Sequence, residues 1–101
     1  MSLSRIFFGK RGEDEAAKYL ERRGYKMLAA NYRCRLGEID IIATDGDTLV
    51  FIEVKTRGGD GFGEGVESVD ARKQRRIIAV SEFYMSENNI SDRAVRYDVV
   101  S

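Results

Sequence analysis

Apolar and polar positions alternate along two short runs in the middle of the chain, residues 37–43 and 51–57, with Asp45-Gly46-Asp47 between them. Alternation marks strands and an Asp-Gly pair marks a tight turn, so the pattern predicts a β-hairpin. Ile39, Ile41 and Ala43 share one face of the first strand, and Glu38, Asp40 and Ile42 the other. On the second strand Val50, Ile52 and Val54 share one face, with Leu49, Phe51, Glu53 and Lys55 opposite. Two acids and a lysine thus continue a face that otherwise holds Ile42, Leu49 and Phe51. Charge on such a face must be paired or bind a metal.

Two registers are open. A four-residue loop at 45–48 pairs Thr44 with Leu49 and sets Asp40 across from Glu53. A two-residue turn at Asp45-Gly46 sets Asp40 opposite Phe51, with Glu53 its diagonal neighbour. Either way the two carboxylates stand within about 4.5–8 Å at Cβ. Bare carboxylates that close repel, so a proton or a cation must join them. Oxygen ligands of this kind suit Mg²⁺ or Mn²⁺.

The flanking pattern is helical. Residues 5–23 predict a helix ended by Gly24, with Gly9, Glu13, Ala16, Ala17 and Leu20 on its inward stripe. Gly9 and Gly12 each weaken a helix by about 1 kcal/mol relative to Ala, so they either allow a close approach or mark a later start. Glu13 on this stripe either meets a basic partner at the core edge or faces the hairpin's acids. A short strand is expected at 25–31 and a basic loop at 32–36. Residues 58–65 hold five glycines in eight, too many to pack a core, so a mobile connection beside the candidate site is expected. A second helix, capped by Ser68, should run to about residue 86 with Ile77, Ile78, Val80 and Tyr84 on its apolar side. Lys73 heads that stripe, either snorkelling to water or reaching the acids or a phosphate. Residues 94–100 alternate as a last strand that must pair beside the hairpin. The order α-β-β-β-α-β predicts a single α/β domain over residues 1–101, a mixed β-sheet flanked by helices.

Composition narrows the classes. A length of 101 residues suits one core, and 43% hydrophobic with 34% charged residues fits a globular chain. No apolar run approaches the roughly 20 residues that span a bilayer, so no membrane partner is expected. The single Cys34 excludes an internal disulfide and fits a reducing cytoplasm; one Cys and no His leave little for a zinc site. Seventeen basic residues balance seventeen acidic ones, which argues against gripping nucleic acid by bulk charge. Two local basic clusters remain, Arg33-Cys34-Arg35 and Arg72-Lys73-Gln74-Arg75-Arg76. A solvated face explains each equally well.

Gly37-Glu38-Ile39-Asp40 followed by Phe51-Ile52-Glu53-Val54-Lys55-Thr56-Arg57 resembles the PD-(D/E)XK nuclease superfamily. The nearer likeness is to the small bacterial YraN-like proteins, related to archaeal Holliday-junction resolvases. It extends to Gly12-Glu13, Gly24-Tyr25, Asn31, Phe62-Gly63, Lys73 and Arg96-Tyr97-Asp98-Val99. The resemblance implies a restriction-endonuclease-like fold and metal-dependent hydrolysis of DNA, branched DNA included. Asp40, Glu53 and the Val54 carbonyl would hold Mg²⁺ (or Mn²⁺), and Glu13 would complete the metal shell. Lys55 would orient the attacking water. Glu38 would lie near the site rather than on the metal. Arg57, Lys73, Arg76 and Arg35 are the candidate contacts to DNA phosphates. A homodimer follows by analogy, because a four-way junction needs two cuts. Two other readings stand beside it: a nucleic-acid-binding module that does not cut, and a protein-interaction domain whose acids pair with internal lysines.

Overall fold

The computed structural model describes residues 2–4, 12–55 and 70–100. The central hairpin forms as the alternation predicts, from β3 (Gly37–Asp45) and β4 (Thr48–Val54). Thr44 pairs with Leu49 and Asp45 with Thr48, the first of the two registers, with Gly46 and Asp47 left to turn the chain. Gly46 takes φ +62°, which a two-residue hairpin turn of type II′ asks of its first central position.

Three further strands complete the sheet. β2 (Lys26–Cys34) lies antiparallel to β3, and β5 (Val95–Val100) runs parallel to β4 from Leu49–Val95 to Val54–Val100. A three-residue strand, β1 (Ser2–Ser4), extends the far edge by pairing parallel with Asp98 to Val100. The order is β1-β5-β4-β3-β2, a mixed sheet with the expected α-β-β-β-α-β succession after β1. β2 is longer than its apolar pattern suggests. Tyr32, Arg33 and Cys34, expected in a loop, pair with Ile39, Glu38 and Gly37. The strand is irregular: its register slips between Met27 and Ala29, and Asn31 takes φ +53°.

The helices cover opposite faces of the sheet. α1 (Gly12–Arg22) packs Ala16 and Leu20 against Ile41, Val50, Ile52 and Val54. It ends in a Schellman cap: the Tyr25 N–H reaches the Leu20 carbonyl, the Gly24 N–H reaches that of Glu21, and Gly24 sits at φ +95°. The start of the first predicted helix, with Gly9, lies outside the described residues. α2 (Ala71–Glu87) packs Ile77 and Val80 against Ile39, Ile42, Leu49 and Phe51. Its cap is Asp70, whose carboxylate accepts the Lys73 N–H at 2.9 Å; the expected cap Ser68 lies outside the described residues. Ile78, expected on the apolar side, is 41% exposed instead. It follows Ile77 by 100° of helix and so turns away from the sheet.

Cover on both faces explains why β4 is a near-continuous apolar run. On the α2 side Phe51 stacks on Tyr97 at 5.7 Å, and Tyr84 meets the edges of Phe51 and Tyr32. Buried Ser81 donates to or accepts from the Tyr97 hydroxyl at 2.8 Å. One expected face assignment changes. Ile39 packs with Ile42 on the α2 side while Ile41 packs on the α1 side, so strict alternation fails around Asp40.

Candidate functional site

The irregularity at Asp40 lies where the hairpin opens. β3 and β4 pair step by step from the turn to Ile41–Ile52. One more step in that register would face Asp40 with Glu53. Instead Asp40 Oδ2 accepts the Val54 N–H at 2.7 Å, so a side chain rather than the β3 backbone satisfies this donor. Asp40 is only 7% exposed, and a carboxylate acceptor makes the bond a strong one. On its other edge β4 stays tied to β5, with the Lys55 N–H on the Val100 carbonyl at 2.8 Å.

Glu53 points to the α2 side, where Lys73 meets it. Lys73 Nζ stands 2.9 Å from Glu53 Oε2, with side-chain exposures of 31% and 15%. Burial alone would lower the Lys73 pKa. The hydrogen bond and charge of Glu53, with the charge of Asp40 behind them, outweigh it and leave the pKa raised. Lys55 is a further neighbour acting on Lys73. Four of the charged residues singled out above, Asp40, Glu53, Lys55 and Lys73, therefore lie near the open end of the hairpin.

A cavity of about 460 Å³ adjoins Glu53 and Lys73, lined by Arg33, Cys34, Gly37, Glu38, Glu53, Lys73, Arg76 and Ile77; Asp40 lines a different one, with Ala17, Met27 and Asn31. Gly37 shapes its floor. At φ +145° it has no Cβ, and one built there would meet Arg76 Cδ at 3.1 Å and Cγ at 3.2 Å. The aliphatic stem of Arg76 thus lies across Gly37, a contact sequence reasoning did not foresee. Glu38 borders the cavity and pairs with Arg33 at 3.0 Å, near the acids but engaged elsewhere.

Other candidates are not brought together. Arg35 places its guanidinium 5.8 Å from the Phe83 ring centroid and does not line the cavity. Glu13 has its backbone in the first turn of α1; its side chain lies outside the described residues, as do Thr56, Arg57 and the glycine-rich stretch 58–65. Among the described residues no three His, Cys, Asp or Glu side chains form a ready metal cage.

A second charged cluster, on the α1 side, went unread in the sequence. Arg96 reaches both oxygens of Asp98 at 3.0–3.2 Å, Asp45 Oδ2 at 3.2 Å and the Tyr25 hydroxyl at 2.6 Å. The signal was present: opposite charges two apart on a strand share a face.

The fold and site define a helix-flanked mixed-sheet protein with an acid–lysine cluster where its central hairpin opens. The model of Uncharacterised protein family UPF0102 matches residues 12–101. The chain belongs to that family. It is 46% identical over 93 residues to a UPF0102 protein of Persephonella marina, an overlap covering 92% of this chain and 80% of the relative. A UPF0102 protein of Syntrophus aciditrophicus is 52% identical over 93 residues, covering 92% and 73%. One from Moorella thermoacetica is 45% identical over 101 residues, covering 100% and 84%. Among the described residues no helix is long and apolar enough to cross a membrane.

Proposed function

We propose that this protein is a metal-dependent endonuclease that hydrolyses DNA phosphodiester bonds, with branched DNA the first substrate to try. The observation that carries this is the opened hairpin end, where buried Asp40 and Glu53 lie near two lysines and Glu53 borders a cavity lined by Arg33, Lys73 and Arg76. The likeness of Asp40, Glu53 and Lys55 to the PD-(D/E)XK pattern supports it.

The donor set fits Mg²⁺ or Mn²⁺. Both are hard cations that accept one or two carboxylates and fill the remaining positions with water and phosphate oxygens. Asp40, Glu53 and the Val54 carbonyl would hold the ion, with Glu13 a further donor. Bound there, it would lower the pKa of a water and neutralise charge developing on the phosphate. Lys55 stabilises that charge and orients the nucleophile. Arg76, with its stem seated on Gly37, and Arg33 hold the DNA backbone along the cavity, with Lys73; Arg57 and Arg35 are the further candidate phosphate contacts. A protein that cuts four-way junctions would act as a homodimer, and a DNA substrate together with the single Cys34 supports a cytoplasmic setting.

The test is cleavage of linear and branched DNA in Mg²⁺ or Mn²⁺. Glu53→Ala and Lys55→Ala should abolish cleavage while leaving the fold intact by circular dichroism. Protein that cuts no DNA form with either metal removes the enzyme reading.

The Lys73–Glu53 ion pair favours a second reading, a nucleic-acid-binding or protein-interaction domain that keeps the fold without cutting. Thermal melting separates the two. A site that binds Mn²⁺ raises the melting temperature, whereas a purely internal salt bridge does not.

A further inference from the structure

Lys73 stands against Glu53, one of the acids proposed above to hold the ion. Its ammonium contacts Glu53 Oε2 at 2.9 Å, and the charge of Asp40 acts on the same group. The residue springs from the first turn of α2, three positions after the Asp70 cap, so its Cα is fixed while its four-carbon stem is not. The same side chain lines the cavity shared with Arg33 and Arg76. An ammonium is a compact point charge with rotatable donors; unlike a guanidinium, it does not clamp a carboxylate in one geometry. A divalent ion on Glu53 would repel it and outcompete it for the same oxygen.

We propose that Lys73 is a built-in counter-cation of the acid pair: it holds Glu53 while no metal is bound, is displaced by a divalent ion, and then offers its ammonium to a phosphate in the adjoining cavity. This rests on the metal-dependent reading above and adds a coupling to it. The metal frees Lys73 for the phosphate, and the phosphate gives the displaced Lys73 a new partner. By linkage each ligand then strengthens the other.

The test titrates Mn²⁺ against the full chain and follows free Mn²⁺ by electron paramagnetic resonance. Wild type is compared with Lys73→Met and Lys73→Gln, each checked for folding. Both variants should bind Mn²⁺ about tenfold tighter, within the usual range of such coupling. Adding a short DNA duplex should tighten Mn²⁺ binding in wild type and much less in the variants. Equal or weaker Mn²⁺ binding in the variants overturns the proposal and makes the ion pair a fixed structural contact. Should neither wild type nor variants bind Mn²⁺, the acid pair is no metal site, and the parent reading falls too. A measurement on wild type alone serves if the variants do not fold. The ¹⁵N resonance of the Lys73 ammonium should shift on adding Mg²⁺, and an unmoved signal counts against displacement.

Discussion

The two charged clusters lie on opposite faces of one sheet and are built to different ends. On the α1 side Arg96 spreads its guanidinium over Asp98, Asp45 and Tyr25, tying β5 to the hairpin turn and to the end of α1. On the α2 side Glu53 is met by the ammonium of Lys73, beside an open cavity. Both clusters balance acid with base. Among the described residues the second adjoins a cavity, and it holds its acid with a point charge on a flexible stem. A planar fork that satisfies several acceptors at once fixes a structure, whereas a point charge on a flexible stem suits exchange.

The sharpest way to break this contrast is to truncate each cation's side of it. Arg96→Ala leaves Asp98, whose side chain is 8% exposed, without its guanidinium. The cost should be about 3 kcal/mol in denaturant unfolding, as for other pairs that lose one buried partner. A loss below about 1 kcal/mol would put the two clusters on the same footing. Asp40→Ala should cost about 2 kcal/mol because the buried Val54 N–H loses its acceptor. Asp40→Asn retains an oxygen there and should recover most of that stability while losing Mn²⁺ binding. Glu53→Gln should change unfolding free energy by less than about 1 kcal/mol, as expected of a partly exposed pair, yet remove the Mn²⁺-induced rise in melting temperature.

Smaller effects sharpen the picture of the α2 face. The Tyr32 hydroxyl is buried with no hydrogen-bond partner among the described residues, and burial raises its pKa. Tyr32→Phe should therefore be neutral or stabilising by up to about 1 kcal/mol, measured by the urea midpoint. Asp70 is held below its ordinary value of 3.8, chiefly by the Lys73 N–H it accepts. A depressed carboxyl stabilises above its unfolded value, and that contribution fades as pH falls through the folded one. The melting-temperature gap between wild type and Asp70→Ala should accordingly narrow on acidification below about pH 4.

Much of this arrangement was legible in the residues. Period-two alternation predicted the hairpin and put Asp40 near Glu53; Gly24 marked the end of α1; the last apolar run had to pair beside the hairpin, and does so along β4. What escaped reading depends on neighbours. Tyr32 to Cys34 look like loop because Arg33 is polar, yet an edge strand keeps one side wet and Arg33 pairs there with Glu38. The shift of Ile39 to the α2 side follows from the distortion at Asp40, which no periodicity announces. Lys73 could snorkel to water or reach the acids or a phosphate, and the fold brings it to Glu53. The grip of Arg96 on Asp45 spans 51 positions of sequence and was out of reach of local pattern.

The slip at Leu28 and the left-handed Asn31 have an outcome for the molecule among its own kind. β2 is nine residues long and, among the described residues, leaves one backbone rim without a strand partner, a natural template for a foreign strand. Two kinks within four residues break that rim into short, misaligned segments. A neighbour laid alongside would lose step almost at once, so a crowded solution of this protein has little purchase for fibril growth along that border.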